Sequence, residues 1–230
     1  MFVVRLAELN IEIKNKYDYI KDMCHDYITV GKADFCVSAS DEEISAEGKG
    51  TSFDKGYLES LAIYRKIAEK IIEYNGFLLH GVAFEANKCG IAFLAKSGVG
   101  KSTHAKLWKE LLKNKMTIIN GDKPLVRIID EKIFAYGSAW AGKEKIHTNT
   151  KTELRKICFI ERSETNECLP MQKAMVFERL IKQIYIPKNK LLWCLILEYI
   201  NIVIEKCDFY MIKCNTDISS AKTAYEELGL

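Results

Sequence analysis

Ala95-Lys-Ser-Gly-Val-Gly-Lys-Ser102 is the stretch on which the reading of this chain turns. An apolar run, Cys89-Gly-Ile-Ala-Phe-Leu-Ala, leads into it at strand length, and from Ser102 to Lys113 the apolar residues recur at helical spacing. Strand, glycine loop and helix in that order make an anion cradle. Glycines let successive backbone N–H groups turn inward, and the helix presents its positive amino end to the same anion. The pattern is that of a P-loop for a nucleoside triphosphate, ATP or another, with Ser97, Gly98, Val99, Gly100, Lys101, Ser102 and Thr103 as the binding residues. Lys101 is placed to reach the β- and γ-phosphates, and the Ser102 hydroxyl to ligate Mg²⁺. Ala95 stands where the strict pattern has glycine, a tolerable change at a position that turns the strand end. A chance Gly-Lys-Ser in a surface turn is the competing reading, and the flanking strand and helix disfavour it.

Outward from the loop the pattern is mixed α/β. Before it, Tyr57–Tyr74 has helical spacing, and Phe77-Leu-Leu-His-Gly-Val-Ala-Phe pairs with the strand entering the loop around Asn87-Lys88. After it, Met116–Asn120, Leu125–Ile129, Lys132–Tyr136, Lys156–Ile160 and Phe209–Cys214 read as strands. Met171–Tyr185, Leu191–Lys206 and a segment from Ser219 read as helices. Residues 2–46 alternate in short runs and predict a small β-rich lobe; Asp41–Asp54, rich in Asp, Glu, Ser, Gly and Lys, predicts a linking loop. The expected division is therefore residues 1–54, lobe and linker, and residues 55–230, nucleotide-binding domain.

Composition narrows the function classes. A net charge of +3 from 34 basic and 31 acidic residues gives no sustained field for nucleic-acid binding. The charged amino end resembles no signal peptide, and Leu191–Ile204 is too short for a bilayer and carries Glu198 and Asn201. None of the eight cysteines forms a Cys-x-x-Cys pair, and several lie in apolar runs. A cytoplasmic protein with reduced core thiols, no membrane partner and no nucleic-acid partner is expected; a homo-oligomer is left open.

Mg²⁺ takes an acidic ligand from the end of a strand neighbouring the loop, and Asp122, after Met116–Asn120, has that place; an ordinary turn aspartate before Pro124 is the alternative. His80 precedes Gly81 two strand lengths before the loop, so an antiparallel return brings it beside Lys101; a hydrogen-bonded core histidine is the alternative. Tyr136-Gly-Ser-Ala-Trp-Ala-Gly-Lys143 suits a loop approaching a ligand closely, with Lys143 as a cationic clamp assisted by His147 or Arg127. A glycine turn with a half-buried tryptophan and a solvated lysine competes with it. Arg162, Arg179 and Lys182 read as solvated faces.

His-Gly, a hairpin, Ser-Gly-x-Gly-Lys-Ser and a strand ending in Asp before a Val-Arg run together resemble the catalytic domain of bacterial HPr kinase/phosphorylase. That family shares its nucleotide-binding fold with ATP-dependent phosphoenolpyruvate carboxykinase. The resemblance is good over residues 77–130. It extends loosely through Gly56-Tyr-Leu-Glu-Ser, Lys101-Ser-Thr-His-Ala-Lys-Leu-Trp, Gly121-Asp-Lys-Pro-Leu-Val-Arg, Tyr136-Gly-Ser-Ala-Trp-Ala-Gly-Lys and Cys214-Asn-Thr-Asp. It implies an ATP- and Mg²⁺-dependent kinase in which Lys101, His80, Asp122 and Lys143 serve the chemistry, with metal on Ser102 and Asp122. The acceptor would be a hydroxyl of a protein serine, a peptide or a small metabolite. One departure bears on mechanism: the family's Asp-Asp pair is Gly121-Asp122 here, so the metal role carries over and the base role of the first aspartate does not. The phosphorylase signature and the Arg-rich carboxykinase site are not recognisable. A nucleotide-binding switch or scaffold and a partner-stimulated NTPase remain alternatives to the kinase.

Overall fold

In the computed structural model, which describes residues 1–230, the alternation at the amino end becomes a four-stranded sheet. β1 (Phe2–Leu6) and β2 (Leu9–Lys14) form a hairpin turned at Ala7 and Glu8, both at positive φ. A short helix α1 (Tyr19–Met23) leads to β3 (Ile28–Thr29) and β4 (Phe35–Ser38), and the sheet order is β3-β1-β2-β4. One face of this sheet packs on α3 (Lys55–Lys70). Val4, Ile11 and Ile13 share a buried cluster with Leu58, Ile63, Tyr64 and Ile67 of the helix and with Tyr136 and Trp140 further along. The expected loop at 41–54 is in part a helix, α2 (Asp41–Glu47). Ser40 Oγ accepts from Glu43 N and the Glu43 carboxylate accepts from Ser40 N, a capping box that starts a helix in a stretch whose composition reads as a turn.

The remaining strands, β5 (Gly76–Leu78), β6 (Val82–Ala86), β7 (Cys89–Leu94), β8 (Met116–Asn120), β9 (Leu125–Ile129), β10 (Lys132–Tyr136), β11 (Lys151–Arg162), β12 (Glu167–Pro170) and β13 (Asp208–Cys214), make one curled sheet. Its order is β5-β9-β10-β11-β7-β6-β8, with β13 also on β11 and β12 on β13. β11 is longer than its apolar run suggests because it serves two neighbourhoods. Its first residues pair antiparallel with β10; past an irregularity at Leu154–Lys156 it runs parallel to β7 and β13. The single strand expected over 77–84 is broken at His80-Gly81, which divides β5 from β6.

α4 (Lys101–Leu112) and α7 (Ile218–Glu227) cover one face of the β7–β11–β13 region, α5 (Phe177–Ile181) and α6 (Lys190–Lys206) the other. The strands show why both faces are apolar: Ile91, Phe93, Cys158 and Ile160 point to α4 and α7, while Ala92, Leu94, Ile157 and Phe159 point to α5 and α6. The helix expected over 171–185 survives only as α5 and a preceding 3-10 turn. Its distal residues are drawn into extended pairing, with Leu79 bridging Ile184 and Tyr185 N donating to Leu78 O. All eight cysteines are free and five are buried. No helix is long and apolar enough to cross a membrane.

His104 on α4 is buried between Trp108, whose indole donates to Nε2 at 3.2 Å, and Ser220, whose Oγ is 3.4 Å from Nδ1. Burial pushes its pKa down to about 4, so the folded chain holds it neutral where an unfolded chain binds a proton. Stability should therefore fall as pH drops from about 6.5 to about 4, this residue alone contributing on the order of 3 kcal/mol. Urea midpoints at neutral and acid pH check this, and His104→Gln should show a shallower pH slope than the parent chain.

Candidate active site

Three strand ends meet at one point. β6 is antiparallel to β7, pairing Val82 with Phe93, and antiparallel to β8, pairing Ala83 with Asn120. The carboxyl ends of β7 and β8 therefore converge on the amino end of β6, where His80 and Gly81 stand. The glycine loop leaves from β7 and the Gly121-Asp122 turn from β8. Gly81 fits because it has no side chain: a Cβ there would strike the Leu94 side chain and lie 2.8 Å from Phe93 O. Main-chain bonds fasten the junction, Leu79 N to Pro124 O, Gly81 N to Asp122 O and His80 N to Gln183 O.

Within the loop Gly98 and Gly100 adopt φ of +79° and +128°, with open space where a Cβ would stand. Lys101 opens α4 and is buried, its ammonium donating to Ala95 O at 2.8 Å and lying 3.5 Å from His80 Nε2. Burial lowers its pKa, with Asp122 pulling the other way. Ser97 and Gly98 are exposed at the crest, Val99, Gly100 and Ser102 are half-buried, and Thr103 is exposed on the first helical turn. Arg162, at the carboxyl end of β11, is exposed as expected and also braces the loop, donating to Gly98 O and to Val99 O at 2.9 Å.

Asp122 is half-buried, one carboxylate oxygen 3.7 Å from His80 Nε2, and no other basic group lies in salt-bridge range of it. Burial and the Lys101 charge lower the His80 pKa against the opposing pull of Asp122, with Lys123 lowering it further, so the imidazole is neutral near pH 7. The residue that shapes this turn is Asn120, fully buried. Its Oδ1 accepts from Asp122 N at 2.9 Å and Lys123 N at 2.7 Å, and its Nδ2 donates to Ser138 O and Oγ. Sequence reading passed over Asn120, although Asn ahead of Gly-Asp is a turn signal. At Gly121 a Cβ would face Ile146 O at 3.2 Å and Ala141 O at 3.5 Å, a tight fit that asks the neighbouring main chain to give slightly.

Segment 136–145 closes the far side. Trp140 is buried, stacked on Tyr64 at 4.3 Å and donating to Ser60 O, while Gly142 at φ +73° lies against the Asp122 side chain. Lys143 is exposed at the rim of the same cleft. That cleft, about 750 Å³, is lined by His80, Ser97, Ser102, Asp122, Lys123 and Lys143 among others, with Tyr19 and Tyr57 from the lobe side. Two expected assistants lie elsewhere. Arg127 donates to Tyr74 O and Ala7 O, tying β9 to the lobe, and His147 Nδ1 is 2.9 Å from the Tyr27 hydroxyl. No group of three or more His, Cys, Asp or Glu is placed to hold a metal. One carboxylate, Asp122, and one hydroxyl, Ser102, on the same cleft suit Mg²⁺, which takes few protein ligands and completes its shell with phosphate and water.

The sequence matches no family model and no curated protein. Among solved structures it is similar to that of the Hpr(Ser) kinase/phosphatase from Coxiella burnetii, at 8% identity and a TM-score of 0.38, over 66% of this chain and 95% of that one. At that score the likeness is a distant resemblance of fold.

Gly81→Ala should cost about 1–3 kcal/mol in urea denaturation, because a backbone carbonyl blocks the methyl group. Gly98→Ala, with free space but a left-handed φ, should cost about 1 kcal/mol. A Gly81→Ala loss below about 1 kcal/mol would mean that β6 and β7 do not approach as closely as described.

Proposed function

We propose that the chain is an ATP- and Mg²⁺-dependent phosphotransferase that passes the γ-phosphoryl group to a hydroxyl acceptor. One observation carries the reading: His80 stands between Lys101 at 3.5 Å and Asp122 at 3.7 Å, where the glycine loop opens into the cleft. The loop amides and Lys101 bind the nucleotide phosphates, Lys101 exchanging Ala95 O for a phosphate oxygen. Ser102 and Asp122 would hold Mg²⁺, which when bound neutralises charge on the β- and γ-phosphoryl oxygens. His80, neutral near pH 7, takes the acceptor's proton at Nε2. Arg162 holds the loop through the carbonyls of Gly98 and Val99. Positioning and charge stabilisation supply most of the catalysis.

A second reading, a nucleotide-binding switch, draws on the 3.7 Å between His80 and Asp122 and on the missing carboxylate at Gly121. A base without a tightly bonded partner is a weaker base. Turnover separates the two readings.

Lys101→Ala should remove Mg-ATP binding in calorimetry while the chain stays folded. His80→Ala should lower phosphoryl transfer by about two to four powers of ten with ATP affinity nearly unchanged. Because the imidazole must be neutral to accept a proton, and its pKa lies below the ordinary value, the parent rate should be level near pH 7 and fall on the acid side. An acid limb that persists in His80→Ala would assign the proton transfer to another group. Asp122→Asn should abolish Mg²⁺-dependent turnover and spare the fold, read by metal titration of the rate and by circular dichroism.

A further inference from the structure

Beyond the residues assigned to nucleotide and metal, the cleft carries further positive charge. Lys123, Lys143 and Lys145 all line it, and none of the three forms a salt bridge. The one glutamate lining the cleft, Glu144, is 2.8 Å from Lys106 and so is already neutralised. Asp122 belongs to the metal side and has only His80 in range. Lys123 is the most constrained of the three. It follows Asp122 directly, its main chain is held by Asn120 Oδ1 and by the Tyr64 hydroxyl, and it is half-buried beside His80. A lysine that lines a cleft and has no counter-charge of its own is free to pair with an anionic ligand.

The shape of the cleft bears on the ligand's size. Tyr19 and Met23 of the lobe and Tyr57 and Leu61 of α3 close it on one side, and the 139–145 segment closes it on the other. About 750 Å³ between those walls is ordinary for a small-molecule site, and the glycine loop already claims part of it. A serine on the surface of a folded protein would have to reach His80 past both walls.

We propose that the phosphoryl acceptor is a small hydroxylated anion whose carboxylate or phosphate is held by Lys123, with Lys143 and Lys145 at the rim, while its hydroxyl lies at His80. The inference rests on the phosphotransferase reading and names its substrate class. In the step, the acceptor oxygen forms a bond to the γ-phosphorus and the bond from that phosphorus to the β–γ bridging oxygen breaks. The bond's electrons stay with the departing nucleoside diphosphate, and the hydroxyl proton goes to His80 Nε2. Lys123 is a binding residue here and touches no reacting atom.

The test is calorimetry on the full chain loaded with Mg²⁺ and a non-hydrolysable ATP analogue, titrated with D-glycerate, glycerol 3-phosphate and uncharged glycerol. At least one of the two anions should bind about tenfold or more tightly than glycerol. Lys123→Met should erase that preference, Lys123→Arg should retain it, and the analogue's own affinity should stay within about threefold in both variants. Anions that bind no better than glycerol would overturn the inference. So would a Lys123→Met variant that loses nucleotide instead, or transfer from ATP to an uncharged serine peptide that Lys123→Met leaves unchanged. These three results leave the phosphotransferase standing; failure of the parent chain to bind the analogue at all would remove both.

Discussion

The pairing of β6 with both β7 and β8 is the constraint on which the site depends. Because β6 is antiparallel to each neighbour, the two strands that end in chemistry, one in the glycine loop and one in Gly121-Asp122, deliver those ends to its first residues. His80 therefore needs no long loop to reach Lys101. Its place follows from register, and the register is fixed by a face of Phe84, Phe93 and Trp108 that is buried to completion. A slip of one residue would turn the Phe84 or Phe93 ring away from Trp108 and the rest of α4. Rigid strands thus set the distances, and the glycine loop and the exposed residues 142–145 are the parts left to adapt to a ligand.

The charges at this junction oppose one another in a way that suits an anion. Lys101 is buried against a carbonyl, and its charge joins burial and Lys123 in holding His80 neutral, while Asp122 tempers both. An incoming phosphate reverses the balance, giving Lys101 a full counter-charge and making a proton on His80 more favourable. On the proposed reading, the arrangement that keeps the imidazole neutral before binding would support its protonated form during phosphoryl transfer.

Much of this was legible in the sequence because it is written in local pattern. The apolar run, the glycines and the helical spacing after Lys101 define strand, loop and helix without tertiary information, and His80 and Asp122 stand where hairpin geometry places them. What stayed hidden depends on partners distant in the chain. Arg162 meets the loop only because β11 is parallel to β7, and Arg127 is drawn to the lobe by carbonyls of Ala7 and Tyr74. The distal part of 171–185 has helical spacing yet pairs with the segment around His80, since main-chain bonding to Leu78 and His80 outweighs a weak local preference. The helix at 41–47 was obscured by composition: its Asp, Glu and Ser resemble a turn, and the capping box is visible only as the reciprocal pair Ser40 and Glu43.

The most direct measurement is the titration of the four histidines by NMR, with and without Mg²⁺ and a non-hydrolysable ATP analogue. The account predicts that His80 titrates below the ordinary histidine range in the free chain and moves upward when the nucleotide is bound, while His104, buried against Trp108, does not move. A His80 titration that is indifferent to nucleotide would contradict the claim that the glycine loop, Asp122 and His80 form one site.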